Sequence, residues 1–242
     1  MNSRILKPIV GWGSHDFIMS IFNGFRRGTV LDAPCGHGAL SVRLREQGFS
    51  VSCCDIDPEL MQAEGFENRK VDLNTGRIDY DDGSFDYIAC VNGLHRLYNI
   101  ENAVKEFSRV LKTNGRIVIS IPNYTNILRR IRFLMTGIIG HNIIKSEFIQ
   151  VSDAPQAHFR NPLTIQQIHF TLLKYDFHIE GLSHDNRKVR TILLYPLGIL
   201  IRVLSSIVYF RRYSDYGMNL SNALPVLLGG RHVYVVAVKK ST

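Results

Sequence analysis

Three carboxylates and a pair of glycines are spaced as a nucleotide-shaped ligand would need them. In "TVLDAPCGHGALSVRL", Thr29 to Leu44, an apolar run ends on Asp32 and enters a small-residue loop holding Gly36 and Gly38. Lacking Cβ atoms, the two glycines let the backbone turn sharply and approach a ligand at the N-terminus of a following helix. Asp55 closes the next apolar run, 17 residues beyond Gly38, where a carboxylate can accept two hydrogen bonds from a ribose cis-diol. Its neighbour Asp57 opens "DPEL", which reads as a helix cap, so Asp55 takes precedence. Asp72, in "KVDLN", is placed to accept from an adenine amino group with Leu73 against the ring. A solvated loop acid is the plain alternative for Asp55, and a turn acid for Asp72. The dinucleotide fingerprint G-x-G-x-x-G would require glycine at position 41, where the chain has Ser41.

These residues need a scaffold that brings successive strand ends together. The chain predicts one: strand "GTVLDA", a helix with Leu40 and Leu44 four apart and closed by Gly48, strand "SVSCC", the short "DPEL" helix, and a third strand at "NRKVDL". Strand "FDYIACV", helix "IENAVKEFSRVLK" stopped at Asn114-Gly115, and strand "RIVISI" stopped by Pro122 continue the alternation. A helix around "TIQQIHFTLLKYD" and strands "FHIEGLS" and "HVYVVAVKK" close the chain. Alternating elements of this kind predict an α/β, doubly wound, mostly parallel sheet with helices on both faces. Two irregular stretches, about 124–163 and 185–230, read as insertions that cover the sheet's carboxyl edge within a single domain spanning 1–242.

With 242 residues, 45% hydrophobic and 21% charged, the composition is that of a globular chain with one sizeable core. The N-terminus lacks an apolar signal segment, which predicts a cytoplasmic protein. Cys35, Cys53, Cys54 and Cys90 fall in or beside the strands with no CxxC pair and no metal-ligand spacing, and are expected to be reduced core thiols. Charge is uneven. Residues 1–125 carry 14 Lys and Arg against 15 Asp and Glu, a net of −1; residues 126–242 carry 15 against 6, a net of +9. An anionic partner for the second half is the corresponding expectation. The apolar run in "TILLYPLGILIRVLSSIVYFRR" is interrupted by Pro196, Gly198 and Arg202, and its longest uncharged piece, Ile192 to Ile201, is about half a membrane span. Packed insertion helices are therefore expected, with peripheral membrane-surface contact as the alternative because Arg211 and Arg212 end the run.

The quoted pieces "VLDAPCGHG", "CCDIDPELM", "VDL" and "DGSFDYIACVNGLHRLYNIENAVKEFSRVLKTNGRIVISIPN" resemble, in order and spacing, class I S-adenosylmethionine-dependent methyltransferases of the small-molecule branch. The likeness, to bacterial polysaccharide-cluster and quinone-biosynthesis methyltransferases, extends over about residues 28–123, with a weaker tail in "HFRNPLTIQQIHFTLLKYDFHIEGL" that is similar to the polysaccharide-cluster members. Pro34 stands where the commonest form of the motif has glycine. The resemblance implies strand order 3-2-1-4-5-7-6 with the last strand antiparallel. It also implies a cofactor-binding set of Asp32, Ala33, Pro34, Gly36, Gly38, Asp55, Ile56, Asp72, Leu73, Asn92 and Gly93. Within it, Asp32 and the glycine loop hold the methionine end, Asp55 the ribose, Asp72 and Leu73 the adenine, and Asn92 and Gly93 lie close to the sulfonium.

A sulfonium methyl is already activated, so in-line positioning of an acceptor is the main task. For an oxygen nucleophile a base would help, with His95 first, His158 second and Tyr124 third; a structural or substrate-contact role is the alternative for each. Arg129, Arg130, Arg132, Arg160, Arg211 and Arg212, set among apolar residues, suit a small-molecule, amphiphilic, anionic acceptor, such as a lipid-linked or sugar-phosphate intermediate or a quinone precursor. RNA methylation is the competing enzyme reading, weakened by the lack of an RNA-binding module or an aromatic and basic stripe. Cofactor binding without catalysis is the third. Oligomeric state is left open by the sequence.

Overall fold

The computed structural model describes residues 12–139, 160–185, 193–208 and 216–241. Its seven strands are β1 (Thr29–Asp32), β2 (Ser50–Asp55), β3 (Asn68–Lys70), β4 (Phe85–Val91), β5 (Leu111–Pro122), β6 (Phe177–His184) and β7 (His232–Lys239). They form one sheet in the order β3-β2-β1-β4-β5-β7-β6, as expected. β1 to β5 pair in parallel, whereas β7 runs antiparallel to both β5 and β6. Because β7 is reversed, its first residue, His232, lies opposite Pro122 at the carboxyl edge where β1, β2 and β4 also end.

The helices are α1 (Trp12–Asn23), α2 (Ala39–Glu46), α3 (Ile100–Val110), α4 (Ile127–Thr136), α5 (Ile165–Lys174), α6 (Tyr195–Val208), α7 (Met218–Ser221) and α8 (Leu224–Leu227). Central strands covered on both faces read as unbroken apolar runs, and each consecutive pair divides between two cores. Leu31, Ile88, Ile117 and Ile119 face Val104, Phe107 and Val110 of α3 and Ile168 and Leu172 of α5. On the other face Val30, Ala89 and Val118 meet Ile18 and Phe22 of α1 and Leu40 and Leu44 of α2. Burying each of the large side chains contributes roughly 1.5–3 kcal/mol.

Local signals set the helix ends. Asn99 caps α3, accepting from the Asn102 N–H, and Thr164 with Gln167 forms a reciprocal capping box on α5. The predicted "DPEL" helix is a single 3-10 turn, Pro58–Leu60, capped as expected by Asp57. All four cysteines are free and buried. Of the irregular stretches, α4, α6 and α8 share a small cluster of their own around Ile127, Leu227 and Leu228. The outer faces of α4 and α6 are apolar: Leu134 is 83% exposed, Met135 77% and Ile207 74%. Among the described residues, no helix is long and apolar enough to cross a membrane.

Candidate active site

A cleft of about 870 Å³ opens at the carboxyl edge of the sheet, large within the range usual for small-molecule sites. Asp32, Pro34, Gly36, Asp55, Ile56, Asp72, Leu73, Asn92, Gly93 and His95, all singled out from the sequence, line it. Ala33 and Gly38 do not. Ala33 is fully buried, its N–H donating to Ala89 O as β1 extends beside β4. Gly38, with φ of +79°, precedes α2, and a Cβ there would lie 2.4 Å from Met61 Sδ and 2.7 Å from Ala63 Cβ. The need for glycine at 38 therefore comes from its left-handed turn and its packing behind the loop. His158, Arg211 and Arg212 lie outside the described residues.

Asp55 ends β2 and is 6% exposed. Its Oδ2 accepts from the Gly36 N–H at 2.8 Å and its Oδ1 from the Asp57 N–H at 3.2 Å. One carboxylate thus ties the glycine loop to β2 while each oxygen retains a lone pair for a ligand hydroxyl. Asp72 uses Oδ1 to accept from both the backbone N–H and the side-chain amide of Asn74 at 2.9 Å, and its carbonyl accepts from Gly76. It is a turn acid, the plain alternative read from the sequence, and it also faces the cleft.

Asp32 is the most unusual group in the cleft. It is 1% exposed and accepts a 2.6 Å hydrogen bond from Ser41 Oγ, whose own oxygen accepts from Cys53 Sγ. Burial drives its pKa up to about 7 against the Ser41 bond, with the Asp55 charge adding to the rise. A cation in the cleft would restore its charge. Two further polar atoms are buried with no hydrogen-bond partner: Asn92 Nδ2, on a residue with φ of +51°, and His95 Nδ1. S-adenosylmethionine fits this set: a cationic sulfonium and ammonium for Asp32, a ribose diol for Asp55, and hydrogen-bonding groups for the two orphaned nitrogens.

His95 is deeply set, and burial, then Arg96, Arg160 and His232, lower its pKa to about 3. That leaves a neutral imidazole, a poor proton acceptor, positioned by a bond from the Asn161 N–H to its carbonyl. Tyr124 is buried under the Arg129 guanidinium, 5.1 Å from its ring centre, and does not line the cleft. Arg130 serves as a clasp: Nε donates to Thr125 O, Nη1 to Asn222 Oδ1 and Nη2 to Ser221 O, joining α4 to α7. No described residue of either insertion lines the cleft.

Among the lining residues that sequence reasoning missed are His15, Cys35, His37, Lys70, Arg96 and His232. His15 arrives on α1, and burial, then Arg43, lower its pKa to about 4. His232 carried a readable signal only in its place at the start of the last strand.

Residues 31–119 match the family described as "Methyltransferase domain". The demethylmenaquinone methyltransferase of Tropheryma whipplei is 34% identical over 95 residues, 37% of this chain and 40% of that protein. The ubiquinone biosynthesis O-methyltransferase of Xanthomonas oryzae is 30% identical over 104 residues, 40% of this chain and 44% of that protein. Matches to these relatives thus span less than half of their length. An S-adenosylmethionine-dependent methyltransferase of Archaeoglobus fulgidus, 16% identical, superposes with a TM-score of 0.55 over 93% of this chain and 94% of the other, a likeness of fold. Residues 31–119 are thus similar to a methyltransferase domain, and the seven-stranded sheet that carries them shares its fold with the Archaeoglobus fulgidus structure.

Proposed function

We propose that this protein is an S-adenosylmethionine-dependent methyltransferase acting on a small, amphiphilic, anionic acceptor through an oxygen nucleophile. The observation that carries the reading is the joint state of the cleft: a buried, proton-retaining Asp32 facing the same space as Asp55, Asn92 and His95. Bound, the cofactor supplies an activated methyl group. The chain's own part is to hold the cofactor's cation at Asp32, its ribose at Asp55 and its base beside Ile56, Asp72 and Leu73, and to keep the acceptor in line. The quinone-pathway relatives support a lipophilic acceptor, as do the apolar outer faces of α4 and α6.

The test begins with the cofactor. Calorimetry is expected to detect micromolar binding of S-adenosylmethionine, and Asp55→Ala to weaken it by roughly 1.5–3 kcal/mol, the range for hydrogen bonds to a charged group. Equal affinity in variant and parent would remove Asp55 from the ribose site, and preference for NAD would overturn the reading.

An apolar acceptor suggests that the enzyme works at a lipid surface. Leu134, Met135, Leu193 and Ile207 are exposed on or beside α4 and α6, with Arg132 and Arg202 exposed on the same helices, an arrangement suited to anionic lipid. Full-length protein is expected to co-sediment with vesicles containing anionic lipid at low salt and to be released as salt is raised. Leu134→Asp with Met135→Asp should abolish this without affecting cofactor affinity. Equal sedimentation of parent and double variant would sink the membrane part.

A further inference from the structure

His95 and His158 are the sequence's candidates for removing a proton from the acceptor, but another histidine lining the cleft, His232, has the support that such work requires. His232 Nδ1 lies 2.8 Å from Asp185 Oδ2, and the His232 backbone N–H donates to Asp185 Oδ1 at 3.1 Å. The carboxylate grips both ends of the residue, and each side chain is 17% exposed. Burial tends to raise the Asp185 pKa, but the His232 bonds and a backbone bond from Arg231 bring it below its ordinary value. An ionised carboxylate can only accept, so Nδ1 carries its proton and the free lone pair belongs to Nε2. No hydrogen bond among the described residues engages Nε2.

The fold delivers this pair to the cleft for structural reasons. Asp185 follows β6 and His232 begins β7, the adjacent antiparallel strand, so both come to the carboxyl edge. The approach to His232 is fixed by the Asn123 N–H donating to Arg231 O at 2.8 Å and the Asn123 side chain donating to Val226 O at 2.8 Å. Gly229 allows the tight turn: a Cβ there would lie 2.0 Å from Pro225 O. Between the end of β4, where Asn92 and Gly93 are, and the start of β7 lies β5 alone. Two strand spacings, roughly 9–10 Å, separate the cofactor side from His232 and leave room for an acceptor between them.

We infer that His232 is the general base of the methyl transfer and Asp185 its positioning residue. The inference rests on the methyltransferase reading above. The acceptor hydroxyl gives its proton to His232 Nε2 as an oxygen lone pair forms the new bond to the methyl carbon. The carbon–sulfur bond breaks with its electron pair kept by sulfur, and the imidazolium charge is balanced by Asp185. His95, held neutral, is left to contact the acceptor.

Two measurements on the full chain test this. Long-range proton–nitrogen correlation spectra of ¹⁵N-histidine-labelled protein, assigned with His232→Gln, are expected to show neutral His232 protonated at Nδ1, and Asp185→Ala to move it toward the Nε2-protonated form. An Nε2-protonated ring in the parent overturns the assignment whatever the activity. Turnover is then read with a hexyl-substituted dihydroxybenzoate and its more acidic nitro analogue. His232→Gln is expected to lower kcat on the first by about 10²–10⁴-fold, the span usual for a general base, and on the second by less than about tenfold. Cofactor affinity should stay within about twofold of the parent, and imidazole should partly rescue His232→Ala. Equal losses on both acceptors, or loss of cofactor binding in His232→Gln, would make the residue structural. If the parent binds S-adenosylmethionine but methylates neither phenol, the base assignment falls alone; if it binds none, the methyltransferase reading fails instead.

Discussion

Asp32→Asn is expected to weaken cofactor binding at least about 100-fold while making the free protein more stable above pH 7. The two effects share one cause. Burial holds the Asp32 pKa at about 7, against an ordinary 3.8, so the fold favours the protonated form. The contribution of this group to stability is therefore fully present below about pH 4 and is lost as pH rises through about 7. A displacement of that size corresponds to at most about 4 kcal/mol, and asparagine, isosteric and neutral, removes the loss. Thermal unfolding of the free variant should be flatter across pH 4–7 than that of the parent, and its midpoint higher at pH 8.

Binding reverses the preference. A sulfonium or ammonium beside Asp32 favours the carboxylate, so cofactor binding at pH 6 should release a proton, and affinity should rise with pH until about 7 and then level off. Calorimetry at pH 6 in buffers of different ionisation enthalpy should count nearly one proton released for the parent, and none at pH 8.5. For Asp32→Asn the loss should be at least about 100-fold, in keeping with removal of a buried charge partner. A variant that binds as tightly as the parent would exclude Asp32 from the cofactor's cationic end.

The strands around this group were legible because both their faces are buried. Val30 and Leu31 point to opposite cores, as do Ile117 and Val118, so the run is apolar throughout and stops at the polar residue that meets the cleft. Asp57 was readable as a cap because the signal is local, a carboxylate two residues from the N–H it accepts. What could not be read depends on burial or on distance along the chain. Nothing in "NGLHRL" says that His95 is enclosed tightly enough to lose its basicity. The Asp185 and His232 pair is separated by 47 residues and meets only because β7 is inserted antiparallel between β5 and β6. Arg130 reads as one of a basic cluster awaiting an anion, yet its guanidinium is taken up by Thr125, Asn222 and Ser221.

The departure at Pro34 has the same long-range character and yields the second large effect. In the structure the Pro34 ring packs onto Gly93: a Cβ at 93 would lie 2.2 Å from Pro34 Cδ, 2.8 Å from Cγ and 3.2 Å from Cys90 Sγ. Gly93 has φ of −92°, a conformation open to any residue, so the requirement for glycine there is one of space. Gly93→Ala must therefore push a rigid ring within the loop that carries Gly36 and its bond to Asp55. We expect it to cost roughly 1–3 kcal/mol of stability, as overpacking does, and to weaken S-adenosylmethionine binding by about 10- to 100-fold. Pro34→Gly removes the obstructing ring at a cost of about 1 kcal/mol, mostly through greater freedom of the unfolded chain. In the double variant the methyl at 93 meets chiefly the deformable Cys90 thiol, so most of the lost affinity should return, with a coupling between the two positions of at least about 1 kcal/mol. Additive losses in calorimetry and in denaturant unfolding would mean that Gly93 acts on the cofactor directly and that the proline ring is not what confines it.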